Sequence, residues 1–153
     1  MKDTLQNRTD VHTPAQRSFN MSRIRGRDTK PEILLRKALW QTGLRYRLKN
    51  KLPGKPDIVF VSDRTAVFVD GCFWHRCPEH FVLPKSRQEF WQHKIDRNVE
   101  RDTEVNKKLL EDGWKVCRVW EHELRSDPQN VVQRVAHLLR KKRPKPLNDI
   151  YAN

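Results

Sequence analysis

Hydrophobic positions along this 153-residue chain change period several times, and each change marks an element. Leu34, Leu35, Ala38, Leu39 and Thr42 recur at helical spacing behind Thr29-Lys30-Pro31-Glu32. That tetrad is a capping sequence, with Thr29 as N-cap and Glu32 three residues on, and Gly43 suits the C-terminal stop. Short extended segments follow at 46–48, 57–61 and 65–69. Ile58-Val59-Phe60-Val61 and Ala66-Val67-Phe68-Val69 are unbroken apolar runs, the pattern of strands covered on both faces, with Ser62-Asp63-Arg64 as the turn between them. A second capping sequence, Ser86-Arg87-Gln88-Glu89, predicts a long helix to Gly113 with Trp91, Ile95, Val99, Val105 and Leu109 as its apolar stripe. Residues 114–120 read as a further buried strand. Val131, Val132, Val135, Leu138 and Leu139 then predict a last helix from about Asp127. The order αβββαβα predicts an α/β fold with a mixed central sheet flanked by helices.

Residues 1–16 lack periodicity and predict an N-terminal lead-in, 17–140 a single domain, and 141–153 a basic, proline-punctuated tail. Residues 17–27 mix four arginines with Phe19, Met21 and Ile24. The apolar side chains are expected to hold this arm on the core while the arginines, Arg23 and Arg25 among them, face nucleic acid. Composition strengthens that expectation. Lys and Arg number 32 against 19 acids, a net charge of +13, as in proteins that neutralise phosphates. No apolar run approaches the roughly 18 residues of a membrane helix. Met1–Asp10 is polar, unlike a secretory signal, and three cysteines cannot all pair, so a reducing, cytoplasmic and nucleoid-associated location is expected.

The densest chemistry lies in Gly71-Cys72-Phe73-Trp74-His75-Arg76-Cys77-Pro78-Glu79-His80. Cys72, Cys77 and His80 have the spacing C-x₄-C-x₂-H, and thiolate with imidazole is the donor set Zn²⁺ prefers. A fourth ligand must come from a distant element, and Cys117 and His122 are the candidates. Cys117 lies mid-strand, where a free cysteine serves as a small core hydrophobe. His122 follows the strand end and is assigned to the site. Phe73 and Trp74 are consecutive and cannot both point into one core, so at least one ring faces outward, toward a base stack. A second set of residues is acidic. Asp57 follows a Pro-Gly turn, Asp70 ends a strand, Glu32 opens a helix, and Asp102 falls on an apolar stripe, where a carboxylate is costly unless paired or bound to a cation. Converging acids in so basic a chain point to a hard cation such as Mg²⁺.

The segments Asn20-Met21-Ser22-Arg23-Ile24-Arg25, Leu52-Pro53-Gly54-Lys55-Pro56-Asp57, Val69-Asp70-Gly71-Cys72-Phe73-Trp74-His75, Phe90-Trp91, Asn98-Val99-Glu100-Arg101-Asp102 and Val119-Trp120-Glu121-His122 together resemble those of the very-short-patch-repair DNA mismatch endonucleases. The resemblance runs from about Arg17 to Leu139. It implies a restriction-endonuclease-like (PD-(D/E)XK superfamily) core with an added structural zinc site. It also implies a monomer whose Mg²⁺-dependent hydrolysis nicks one DNA strand beside the T of a T:G mismatch. Mismatch-repair proteins and a companion cytosine-5 methyltransferase are the implied partners.

By the same resemblance, Asp57 and the backbone carbonyl of Val69 bind Mg²⁺. His75 activates water with help from Glu32 and Asp102, and Phe73, Trp74 and Trp91 wedge into the duplex. Cys72, Cys77, His80 and His122 fall on the zinc positions. Two departures stand out. The acid-x-Lys pair usual in the wider superfamily is absent from Val67-Phe68-Val69, and position 70 is Asp where some family members carry His. A restriction endonuclease cutting both strands and a non-catalytic zinc-stapled DNA-binding module are the competing readings.

Overall fold

Two unbroken apolar runs become the first two strands of a three-stranded sheet in the computed structural model, which describes residues 12–24 and 26–139. In chain order the elements are α1 (Pro14–Ser22), α2 (Lys30–Gln41), β1 (Ile58–Phe60), β2 (Thr65–Asp70), α3 (Gln88–Glu111), β3 (Lys115–Trp120), α4 (Glu121–Ser126) and α5 (Pro128–His137). β1 pairs antiparallel with β2, and β2 pairs parallel with β3 in the register Phe68↔Arg118 and Asp70↔Trp120. A parallel pair needs a crossover connection, here the long segment that contains α3.

Helices cover both faces of the sheet. On one, Leu35, Leu39, Ile58, Phe60, Val67, Cys117, Val119, Leu124 and Val135 form the larger core. On the other, Ala66 and Phe68 pack against Val105 and Leu109 of α3. Cys117 is thus a buried core thiol, as the mid-strand position predicts. Leu35 and Leu39 are fully buried, so truncating either to Ala costs about 2–5 kcal/mol. Among the described residues, no helix is long and apolar enough to cross a membrane.

The structure departs from the sequence pattern in five places. α1 begins at Pro14, inside the segment read as lead-in. Its start is a reciprocal cap in which Thr13 Oγ1 accepts from Gln16 N and Gln16 Oε1 accepts from Thr13 N, at 3.2 and 2.8 Å. α1 has no buried residue, so Phe19, Met21 and Ile24 are exposed rather than holding the arm to the core. The extended segment at 46–48 contracts to one bridge, Arg47 with Val59, because only Tyr46 packs inward while Arg45, Arg47 and Leu48 are exposed. Val61, expected in a strand, is exposed in the turn that follows β1. Ser86 does not cap α3; the N-cap is Arg87, in a left-handed conformation (φ 54°) with its guanidinium over the Phe90 ring. Arg25, the rest of the expected lead-in (1–11) and the expected tail (141–153) lie outside the described residues.

α4 is only six residues long and is fastened by an ion pair rather than by length. Arg134 of α5 reaches both Glu123 oxygens, at 2.8 and 3.1 Å, and Glu123 also accepts from Trp120 N. Arg134 holds the Glu123 carboxyl below its ordinary pKa against the opposing effect of burial, and the Trp120 N–H acts with Arg134. A lowered carboxylate pKa contributes stability that is present above the unfolded value, about 4.5, and is lost as pH falls through the folded value. Arg134→Met is therefore expected to melt below the parent at pH 7, with the gap narrowing as the pH is taken below about 4.5. Melting curves at stepped pH check this, and a gap that stays constant would contradict it.

Candidate functional site

Asp57 is delivered to its position by a turn that only glycine can complete. Gly54 has φ 73°, and a Cβ there would lie 2.5 Å from Val105 Cγ1 on α3. The turn therefore presses flat against α3 and feeds Asp57 in beside β2. Asp57 Oδ2 accepts from Val69 N at 2.7 Å, tying the start of β1 to the end of β2. Burial pushes the Asp57 carboxyl up to about 6; the Val69 hydrogen bond opposes this, and the charges of Glu32 and Asp70 add to it. Among the described residues Asp57 has no ion-pair partner.

Glu32, 4 % exposed, lines the same cleft from the first turn of α2. Its carboxylate accepts from Asp28 N at 2.9 Å, Thr29 Oγ1 at 3.2 Å and Arg36 Nη2 at 3.1 Å. The capping sequence that begins the helix thus also orients an acid of the site.

Asp70, His75 and Asp102 meet on the other side of the cleft, which encloses about 690 Å³. His75 Nδ1 lies 2.6 Å from Asp102 Oδ2 and 3.8 Å from Asp70 Oδ1. An ionised carboxylate can only accept, so Nδ1 carries the proton and Nε2 is left as the basic nitrogen. Burial works against the imidazolium, but the Asp102 hydrogen bond and the two carboxylate charges outweigh it and raise the His75 pKa above its ordinary value. Asp102 therefore escapes the cost of an unpaired acid on an apolar stripe by taking His75 and Arg118 as partners, the latter at 3.3 Å.

A separate aromatic group borders the cleft. Phe73 packs edge-on to Trp74 (5.1 Å between centroids) and to Trp91 (5.3 Å), and Phe90 meets Trp91 at 5.2 Å. Phe73, Trp74 and Trp91 are half-buried, outside both main cores. Both Phe73 and Trp74 line the cleft, and Lys94 Nζ stands 5.5 Å from the Trp74 ring. Asn98 fixes the loop by donating to the Trp74 carbonyl at 3.1 Å. Met21 and Ile24 reach the cleft from the arm, while Arg23 stacks over Phe19 at 5.0 Å.

Cys72, Cys77, His80 and His122 place one donor atom each within 4.8 Å of one another. Cys72 Sγ is 3.3 Å and Cys77 Sγ 3.6 Å from His122 Nδ1, and Cys77 Sγ is 3.7 Å from His80 Nδ1. Burial, with Cys77 beside it, pushes the Cys72 thiol up to about 11, so only a bound cation would make this sulfur a good thiolate ligand near neutrality. Two thiols and two imidazoles suit a tetrahedral, borderline-soft metal. His122 reaches the group because α4 begins where β3 ends, and Glu121 Oε1 accepts from Cys72 N at 3.1 Å.

Sequence reasoning missed two cations. Arg118 Nη1 lies 3.0 Å from both Asp70 oxygens, and Arg36 joins Asp28 to Glu32. An arginine inside a strand otherwise read as buried was the available signal for Arg118. For Arg36 the signal was its i,i+4 spacing from Glu32 on one helix.

Known proteins resemble this chain closely. Residues 9–79 match the family model described as DNA mismatch endonuclease Vsr. The type II nicking enzyme V.NaeI of Lentzea aerocolonigenes is 47% identical over 131 residues, which span 82% of this chain and 79% of that protein. The type II nicking enzyme V.NmeAIP of Neisseria meningitidis is 46% identical over 121 residues, 77% of this chain and 86% of its own length. The DNA mismatch endonuclease Vsr of Escherichia coli K12 is 46% identical over 118 residues, 76% of each.

The thiol–imidazole group yields a direct test. Removing metal with a chelator, or changing Cys72 to Ser, is expected to lower the melting temperature by roughly 10 °C, since about 1 kcal/mol moves a domain of this size by about 2–4 °C. Cys117→Ser is expected to leave metal content unchanged. Metal analysis alongside melting curves checks both, and metal loss on changing Cys117 would reassign the fourth ligand.

Proposed function

The chain belongs to the Vsr family of DNA mismatch endonucleases, and from that membership we propose that it nicks one DNA strand beside the T of a T:G mismatch by Mg²⁺-dependent hydrolysis. Such a mismatch arises when 5-methylcytosine is deaminated. The observation that carries the reading is a juxtaposition in one cleft: a carboxylate at Asp57 with no ion pair among the described residues, a His75–Asp102 pair, and the rings of Phe73 and Trp74. A fold with these parts fits the restriction-endonuclease-like core.

Asp57 and the backbone carbonyl of Val69 would hold Mg²⁺, which when bound supplies the charge that polarises the scissile phosphate and stabilises the leaving oxygen. A half-buried carboxylate with a raised pKa and no ion pair among the described residues is suited to such an ion. His75 Nε2 accepts the proton of the attacking water, while Asp102 holds the ring and offsets the imidazolium charge that forms. Glu32, fixed by Thr29 and Arg36, assists from the opposite wall. One cleft per chain accounts for one nick, so a monomer suffices.

Phe73, Trp74 and Trp91 insert beside the mismatch. Unstacking costs a few kcal/mol, least at a mispaired step, so the insertion itself favours mismatched DNA. Arg23 and Arg25 contact phosphates, and Lys94 adds charge beside the rings. Zn²⁺ on Cys72, Cys77, His80 and His122 would clip the aromatic loop to the end of β3. Mismatch-repair proteins and a companion cytosine-5 methyltransferase are the partners this role calls for.

Asp57→Ala and His75→Ala are expected to abolish nicking of a T:G duplex while keeping most mismatch affinity, because phosphate contacts dominate binding. Single-turnover cleavage beside an equilibrium binding assay at fixed salt separates the two effects. Normal cleavage by His75→Ala would remove it as the base.

Trp74→Ala is expected to weaken mismatch binding about ten- to a hundredfold, from a stacking contribution of about 1–3 kcal/mol, and to leave matched duplex nearly unchanged. Equal weakening of both duplexes in the same assay would return the ring to a structural role.

A further inference from the structure

Among the described residues, Arg36 pairs with Glu32 and Arg118 with Asp70 and Asp102 in the cleft, while Asp57 has no ion pair. At Asp70 and Asp102 a guanidinium nitrogen, Arg118 Nη1, sits 3.0 Å from Asp70 Oδ1, 3.0 Å from Asp70 Oδ2 and 3.3 Å from Asp102 Oδ1. Three carboxylate oxygens around one positive centre is how a bridging divalent ion would be held. The remaining guanidinium nitrogens are committed as well, Nε to Asn106 Oδ1 at 2.9 Å and Nη2 to the Asp102 carbonyl at 3.5 Å. The plane of the group lies over the Phe68 ring at 4.4 Å, which leaves it little room to swing away. Asp57, in the same cleft, has no ion pair among the described residues.

We propose that Arg118 is a built-in cation that occupies the Asp70–Asp102 position permanently, closes that position to a divalent ion, and so positions His75 as a base. This deepens the nicking reading and rests on it for the assignment of His75 as base and of Mg²⁺ to Asp57.

Several features follow from that role. Asp102 must accept from His75 through Oδ2, and Arg118 engages Oδ1, so the carboxylate cannot rotate without losing one partner. Asp70 is 5 % exposed at its side chain and has Arg118 as its direct counter-charge, with His75 further off at 3.8 Å. A divalent ion on these oxygens would compete with His75 Nδ1–H for Asp102 and draw the imidazole in as a ligand, since Asp70, His75 and Asp102 lie within 4.8 Å of one another. A fixed monovalent charge neutralises the acids without capturing the ring. Arginine is suited to this because its planar fork grips a carboxylate in a set geometry and its charge is permanent. In this role Arg118 acts through Asp70 and Asp102, which take up its guanidinium; it is a positioning residue.

The test uses the zinc-loaded full chain without DNA, with Mn²⁺ as probe. Mn²⁺ is titrated into the parent, Arg118→Met, Arg118→Lys and the double variant Asp70→Asn/Arg118→Met, and free Mn²⁺ is read by electron paramagnetic resonance. Arg118→Met is expected to hold one more Mn²⁺ per chain than the parent. Arg118→Lys is expected to match the parent, and Asp70→Asn in the Met background to remove the extra ion. In parallel, Arg118→Met is expected to slow single-turnover nicking by about tenfold or more, part of the factor of about 10²–10⁴ that a positioned base contributes, with mismatch affinity little changed and partial recovery in the Lys variant. Should Arg118→Met fail to fold by circular dichroism, Arg118→Gln takes its place. Equal Mn²⁺ uptake by the parent and a folded, uncharged variant overturns the proposal, as does nicking at the parental rate. Because Mn²⁺ uptake is read without DNA, a parent that fails to nick T:G duplexes refutes the functional reading and leaves this result standing.

Discussion

Parallel pairing of β2 with β3 is the constraint on which the rest of the molecule depends. It brings the carboxyl ends of the two strands side by side, Asp70 opposite Trp120, so that whatever follows each strand emerges at the same edge. After Asp70 come Gly71, Cys72 and the aromatic loop; after Trp120 come Glu121 and His122. Register assembles both the thiol–imidazole group and the Asp70–Arg118 pair, since a slip of one residue between the strands would turn Arg118 away from the face that carries Asp70. Open α/β sheets place their sites at such carboxyl edges, where loops have freedom and the sheet provides rigidity.

Electrostatics sets the second condition. A chain of net charge +13 attracts phosphate everywhere, yet it gathers Glu32, Asp57, Asp70 and Asp102 around one cleft. Those acids are balanced unequally. Arg36 serves Glu32, Arg118 serves Asp70 and Asp102, and Asp57 accepts from the Val69 amide with no ion pair among the described residues. Burial raises the Asp57 pKa, with the Val69 hydrogen bond and the Arg36 charge opposing it. The proposed Mg²⁺ position rests on that uneven balance.

Much of this was legible in the sequence, and the failures have physical causes. The metal-type ligands could be read because three lie in one loop, and the choice of His122 over Cys117 followed from strand burial alone. The helix at Lys30 and the two apolar strands were equally plain. α1 was missed although Thr13-Pro14-Ala15-Gln16 is a capping sequence, because its apolar residues have no core to face and leave no buried stripe. The 46–48 segment has strand-like residues but one inward anchor, Tyr46, which is too little to hold a ladder. Ser86 looked like a cap, but the left-handed turn at Arg87 carries the chain into α3 without its hydroxyl. The partners of Arg118 escaped because Asp70 and Asp102 lie on other elements, whereas the Arg36–Glu32 pair was a local i,i+4 spacing left unread.

The central claim is that one cleft, with one base and one metal-ready carboxylate, cuts one strand at a mispair. The most direct measurement is single-turnover cleavage of a duplex labelled on both strands, carrying either T:G or the matched pair at one position, with Mg²⁺ at fixed salt. The account predicts a single cut, in the T-containing strand beside the mismatch, and little cleavage of the matched duplex. Cutting of both strands, or equal cutting of matched and mismatched DNA, would contradict it.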